Sequence, residues 1–265
     1  MKIEVLGCSG GMGKGESTTC IRINDNLLID AGSGLGRLSQ QEMLSIEHVF
    51  LTHAHLDHIC FLPLLLDNLF EQLEAPLQVY ALPEVIKALQ THIFNWSIWP
   101  DFSQLPNATN AVLKFNPIVT NQQHQFAMTR LTAISAQHVV PACGYIVQED
   151  DGAVFCFSGD TRFDQQVTAA YNQLGAIDAL MLECAFPDRL ADIAIKSQHL
   201  TPASLAEFIL SLDTAPKQLW ITHLKPSFRD EIWGELMRLN LPVSIRLLSS
   251  GDTFFLEHDR CAPET

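Results

Sequence analysis

From residue 52 to residue 58 the chain reads Thr-His-Ala-His-Leu-Asp-His, and few folds can use such a segment. It follows the apolar, β-branched strand His48–Thr52 and leads into a helical pattern from about His58 to Leu73. Where a strand turns into a helix, residues two apart point to the same side, so His53 and His55 are placed to share one metal ion. Asp57 and His58 open the helix on the other side of the turn and are placed to reach a second ion. Neutral imidazole nitrogens and a carboxylate are the donors that zinc-like divalent ions take. A polar helix start with Asp57 as a simple cap is the alternative, but an H-x-H-x-D-H run rarely arises by chance.

A two-ion site needs further ligands and a bridging carboxylate, each brought by a separate strand end. The sequence supplies three. His138 follows the strand-like Leu131–Ala136, Asp160 closes Ala153–Gly159, and His223 ends Gln218–Thr222 with the same Thr-His step as Thr52-His53. The other histidines sit elsewhere: His48 begins a strand, His92 lies inside a helix, and His124 and His258 fall in polar loops. Those four read as ordinary surface or structural histidines.

Strands Ile3–Gly7, Thr18–Asn24 and Asn26–Asp30 come first, the last two joined by a tight turn at Asp25-Asn26. A helical period covers Pro83–Phe94, followed by the aromatic, irregular Asn95–Phe102. Strand patterns return from Leu113 to Asp160, with a hairpin turn at Glu149–Gly152. Beyond them, strands at Ala179–Glu183, Gln218–Thr222, Ser244–Leu248 and Thr253–Leu256 alternate with amphipathic helices at Gln165–Leu174, Pro202–Leu212 and Asp230–Leu239. That alternation predicts an α/β layered sandwich. With 47% apolar residues in 265 positions, and no repeat or linker, one large core is expected.

The order H-x-H-x-D-H, His, Asp, His resembles the metallo-β-lactamase superfamily. The resemblance implies a four-layer αββα sandwich over residues 1–265, with a helical and aromatic insertion at about 60–112. It also implies a dinuclear centre: His53, His55 and His138 on one ion, Asp57, His58 and His223 on the other, and Asp160 bridging. Asp57 is then catalytic as well as a ligand, and the implied nucleophile is a metal-bound hydroxide of lowered pKa. Zinc is the default ion for these donors, and manganese and iron accept them too.

Within that superfamily, His55–His58, Glu183–Phe186, Gln198–Pro202 and Thr222–Pro226 resemble the class II cyclic-nucleotide phosphodiesterases. Phe94-Asn95 and Ile98–Pro100 look like that family's insertion, whereas Ile59–Pro63 departs from its usual Gly or Ser and small apolar run. The implied activity is hydrolysis of a small phosphodiester, 3′,5′-cyclic AMP or GMP. A tRNA 3′-processing endonuclease of the RNase Z type is the alternative, since it shares the ligands and a histidine similar to His199. A thioesterase, a lactonase, an arylsulfatase and a non-catalytic binding module are more distant ones.

His199 carries two readings. By resemblance it either stabilises the phosphorane-like charge or protonates the leaving oxygen; otherwise it caps the helix from Pro202, a task Thr201 can also perform. Gly7–Gly15 fails the nucleotide-loop patterns, because Gly15 stands where Ser or Thr is required and Glu16 where a glycine is. It reads instead as a loop closely approaching the metal site, with Ser9 a weak substrate contact. Trp96 and Trp99, with Phe102, either wall a purine pocket or pack an insertion.

Sixteen Lys and Arg against thirty Asp and Glu leave a formal charge of −14. That balance argues against holding long nucleic acid or an anionic membrane. Only 21 residues separate His138 from Asp160, enough for a hairpin but not for the tRNA-binding arm of the RNase Z type. The longest apolar run, Ile59–Leu66, is broken by Pro63 and too short to span a bilayer. Seven cysteines without a C-x-x-C pair, and no secretory signal pattern at the N-terminus, predict reduced thiols and a cytoplasmic protein. A homodimer is plausible by resemblance.

Overall fold

Residues 1–257 are described by the computed structural model, which leaves His258 and Cys261 outside the described residues. The first sheet takes β1 (Lys2–Gly7), β2 (Cys20–Ile23), β3 (Leu27–Ile29), β4 (His48–Phe50), β5 (Leu77–Ala81) and β6 (Leu113–Pro117). The second takes β7 (Gln123–Phe126), β8 (Thr129–Ser135), β9 (Cys143–Glu149), β10 (Val154–Phe157), β11 (Ala179–Glu183), β12 (Leu219–Thr222) and β13 (Ile245–Leu247). A last strand, β14 (Thr253–Phe255), returns to the first sheet beside β1. The orders are β14-β1-β2-β3-β4-β5-β6 and β13-β12-β11-β10-β9-β8-β7.

Pleating sends successive strand residues to opposite faces, so a strand covered on both sides must be apolar throughout. Val49 of β4 joins an outer layer while Phe50 joins the layer between the sheets. Leu180 and Leu182 of β11 likewise face outward and Met181 inward. Ile3, Val5, Ile21 and Phe50 thus meet Leu131, Tyr145, Phe155 and Trp220 in the middle layer. Helices α1 (Gln40–Leu44), α2 (Leu56–Ile59), α3 (Leu62–Leu69) and α4 (Pro83–His92) accompany the first sheet. Helices α5 (Gln165–Asn172), α6 (Ala191–Ser197), α7 (Pro202–Leu210) and α8 (Arg229–Leu236) follow along the second half of the chain, with α5, α7 and α8 covering the second sheet. The result is the αββα sandwich expected from the sequence.

Strands β3 to β6 are mutually parallel, and so are β10 to β13. Within each set the C-terminal ends therefore lie along one edge, where sites form in parallel sheets. Asp30 follows β3 directly, Glu183 ends β11, and His223 follows β12 directly. His53 and Asp160 each come three residues after their strands.

Three expectations change. The helix read from His58 to Leu73 is two, α2 and α3, broken at Cys60-Phe61. Pro63 has no N–H and would clash with the carbonyl four residues back in a continuous helix, but it is tolerated in the first turn of α3. The freed Phe61 N–H donates to the Ala31 carbonyl at 2.9 Å, and Ala31 N–H to His58 at 2.7 Å, so the short α2 is pinned to the end of β3. The stretch 60–112, read as an insertion, contains β5 with alternating buried Leu77, Val79 and Ala81, a strand hydrogen-bonded between β4 and β6. Helix α6 lies where the sequence shows no helical pattern, because exposed Ile193 and Ile195 deny it an amphipathic face. Among the described residues six cysteines are free, and no helix is long and apolar enough to cross a membrane.

Trp220 of β12 is fully buried and stacks on Phe254 of β14 with ring centroids 4.0 Å apart, tying the second sheet to the edge strand of the first. Trp220→Ala is expected to destabilise the fold by about 3–5 kcal/mol through the cavity it leaves. Urea denaturation followed by circular dichroism measures the shift.

Candidate metal centre

Seven side chains from four chain segments, those after β4, β8, β10 and β12, converge at the shared strand edge. Asp160 is the hub: its Oδ2 lies 3.3 Å from His223 Nε2, 3.4 Å from His58 Nε2, 3.6 Å from His53 Nε2 and 4.0 Å from His138 Nε2. His138 Nε2 and His55 Nδ1 are 3.2 Å apart. Asp57 Oδ2 stands 3.7 Å from His58 Nε2 and 3.8 Å from His223 Nε2. Ligands about 2.1 Å from one ion in a tetrahedron are roughly 3.4 Å from each other. The atoms fall into two sets, His53, His55, His138 and Asp160, and Asp57, His58 and His223, each within 4.8 Å throughout.

The chemistry of the set fits divalent ions. His53 Nε2, His58 Nε2 and Asp160 Oδ1 are buried without a hydrogen-bond partner, a costly state unless something else satisfies them. Burial depresses the basicity of His53, His55, His138 (to about 4) and His223 (to about 3), so these imidazoles are neutral with a lone pair to offer at pH 7. Burial alone would raise the Asp160 carboxyl, but the facing His223 and His58 hold it well below the ordinary carboxylate value. All the expected ligands are therefore together, in the expected grouping, with Asp160 between the two sets.

A second ring of groups fixes which nitrogen each histidine presents, as is usual around metal ligands. Asp30 Oδ2 lies 2.7 Å from His58 Nδ1, which leaves Nε2 for the cage, and Asp30 also accepts from the Thr52 amide at 2.8 Å. The Gln198 carbonyl lies 3.2 Å from His138 Nδ1, with the same effect. Asp30, Gln198 and His223 all take the left-handed conformation, with φ of 60°, 54° and 61°. At a strand or helix end that conformation turns the chain abruptly and aims the group into the site. Gly10 packs against His223 so closely that a Cβ there would overlap the His223 carbonyl oxygen, and a Cβ on Gly32 would overlap that of Asp57. The glycine loop does approach the centre, as its sequence indicated.

His199 stands at the edge of the cage. One of its ring nitrogens falls within 4.8 Å of the Asp160 and His223 donors, and its ring stacks on His223 with centroids 5.3 Å apart. Glu183 Oε1 lies 2.7 Å from His199 Nδ1 and also accepts from the Thr161 amide at 2.9 Å. Burial disfavours the imidazolium at His199, but the Glu183 carboxylate outweighs it and raises the pKa above the usual histidine value. The helix-capping alternative loses, because Thr201 itself caps α7 in a reciprocal box with Ser204.

Other candidates lie apart. Ser9 is 1% exposed and its hydroxyl points to the Leu224 carbonyl, a loop-to-loop tie with no open side for substrate. Trp96 is exposed, and Trp99 packs against the outer core beside the first sheet. Asp30 and Glu183 were not singled out in the sequence as working groups. The available signal was an acidic residue closing an otherwise buried strand, where it must find a partner.

Back-to-back mixed sheets with His and Asp donors gathered at one edge define the metallo-β-lactamase fold. Residues 25–224 match the beta-lactamase superfamily domain, and the chain belongs to that superfamily of hydrolases. It is similar to a Yersinia pestis protein named as a probable 3′,5′-cyclic-nucleotide phosphodiesterase, 23% identical over 308 aligned positions that cover 95% of this chain and 88% of that one. In fold it is similar to unliganded yeast PDE1, with a TM-score of 0.81, 19% identity, and 97% and 99% of the two chains covered. The short form of human tRNase Z is similar too, with a TM-score of 0.71, 20% identity, and 97% and 100% covered.

Asp30→Ala frees the His58 ring and is expected to weaken divalent-ion affinity about 10–100-fold. Chelator competition on the purified protein, with circular dichroism to confirm folding, measures the loss.

Proposed function

We propose that this protein hydrolyses a small phosphodiester, 3′,5′-cyclic AMP or GMP, with two divalent ions held by His53, His55, His138, Asp57, His58, His223 and the bridging Asp160. The observation that carries this reading is the His199–Glu183 pair beside the cage. Hydrolysis of an ester with a good leaving group needs no acid, whereas an alkoxide leaving a phosphodiester does. The bound ions supply Lewis acidity toward the phosphoryl oxygens and acidify water.

The chain's own residues do the rest. Water oxygen bonds to phosphorus as the phosphorus–alkoxide bond breaks. His199, held in one orientation by Glu183, delivers its proton to the departing oxygen. Asp57, whose side chain is 29% exposed on the open side of the cage, takes the proton the water gives up. Neutral His53, His138 and His223 keep the pocket's negative charge down to its carboxylates, so an anionic substrate is not repelled by more than the ions offset.

The names of the similar proteins divide between 3′,5′-cyclic-nucleotide phosphodiesterase and ribonuclease Z. Two features support the small substrate. Strands β9 and β10 join through a tight hairpin at Glu149–Ala153, with no arm between His138 and Asp160. The formal charge of −14 repels a polyanion, whereas a monoanion meets the ions at close range.

Metal-quantified protein assayed with cyclic AMP, cyclic GMP, bis-p-nitrophenyl phosphate, a thioester and a precursor tRNA is expected to turn over the cyclic nucleotides and leave the tRNA intact. The opposite ranking overturns the proposal. His199→Ala is expected to lower kcat by about 10²-fold or more while both ions stay bound. Asp160→Ala is expected to lose bound metal and turnover together, which elemental analysis beside the assay will show.

A further inference from the structure

The proposed chemistry fixes where the rest of the substrate must go. If His199 protonates the leaving oxygen, the group attached to that oxygen lies beside His199. A cavity of about 350 Å³ opens there, lined by Arg162, Phe163, Ile195, His199, Ser204 and Glu207, among others. Of the site residues, His199 lines it, so the cavity and the cage meet at that residue. Its size falls within the range of small-molecule sites, about 300–1,000 Å³.

The walls are built from the same loops that build the cage. Arg162 is two residues beyond Asp160, and its amide donates to the Gln137 carbonyl at 2.9 Å, which ties the Asp160 loop to the His138 loop. Phe163 is half-buried against the outer core, its ring 6.4 Å from Phe208, so it is held in place while it borders the cavity. Arg162 offers a half-exposed guanidinium, one nitrogen of which lies 3.6 Å from Asp164 Oδ2, and Glu207 an exposed carboxylate. An aromatic ring, aliphatic carbon, a fork of donors and an acceptor together suit a planar heterocycle with polar edges carried on a sugar.

The aromatic pocket suggested by Trp96 and Trp99 suits it less. That pocket, about 290 Å³, is lined by Leu56, Ile59, Leu64, Ile98 and Trp99 with carbon facing in. A nucleobase placed there would lose its water without gaining hydrogen-bond partners. The geometry points to the cavity between α6, α7 and the Arg162-Phe163 loop as a nucleoside subsite that takes the sugar and base of the substrate. This inference rests on His199 acting at the leaving oxygen, as in the proposed function.

Calorimetry of zinc-loaded protein with adenosine 5′-monophosphate and, separately, inorganic phosphate tests it. Phe163→Ala removes the ring, and Ala203→Trp, at an exposed position on the cavity wall, fills the space without touching the core. Both variants are expected to weaken the nucleotide at least tenfold while phosphate still binds. Unchanged nucleotide affinity in Ala203→Trp, no nucleotide binding to the unsubstituted protein, or equal loss of nucleotide and phosphate in folded variants overturns the subsite. Nucleotide binding that both variants weaken, without turnover of any cyclic nucleotide, would uphold the subsite and sink the substrate reading instead.

Discussion

Everything at the active edge depends on one buried carboxylate. Asp160 is 2% exposed, and an isolated carboxylate at that depth costs several kcal/mol unless charge or hydrogen bonds compensate it. Four imidazole nitrogens stand within 3.3–4.0 Å of its Oδ2. They cannot all be protonated at once, because burial and mutual repulsion keep most of them neutral. A divalent ion would resolve the conflict, bringing concentrated positive charge and accepting the lone pairs that neutral imidazoles offer. The same cluster that is unfavourable as a set of protein groups is favourable as a set of ligands.

That convergence is possible only because of how the sheets are connected. Parallel runs in both sheets bring the ends of β3, β4, β10, β11 and β12 to a common edge, although these strands span almost two hundred residues of sequence. Three apolar layers hold the edge rigid, and Ala31 bridges the end of β3 to both His58 and Phe61. The break between α2 and α3 belongs to the same design. It lets the turn carrying Asp57 and His58 take its direction from β3, while α3 takes its own from the outer layer.

The seven candidate ligands could be picked out because histidine and aspartate at successive strand ends have few structural uses, and their order is itself a pattern. The partners Asp30 and Glu183 were not, because each meets its histidine only through the fold, 28 and 16 residues away in sequence. Strand and layer order could be read from alternation, yet β5 was hidden inside a stretch dominated by the stronger helical periods on either side of it. Helix α6 was hidden for the opposite reason, as exposed Ile193 and Ile195 deny it an apolar stripe. What the sequence showed was chemistry and period; what it concealed was every contact whose meaning lies in a distant partner.

The left-handed residues show what this arrangement costs. Asp30, Gln198 and His223 each hold a backbone conformation that costs a non-glycine residue about 1–3 kcal/mol, against a net stability of only about 5–15 kcal/mol for a whole domain. Glycine would relieve the strain at all three. At Gln198 the group in use is a backbone carbonyl, which glycine would keep; at Asp30 and His223 it is the side chain, which glycine would remove. At two of the three strained positions the side chain is the group in use, and at the third only the backbone is. Strain tolerated where a side chain must point inward is the mark of a site the fold was built to carry, rather than one added to a finished fold.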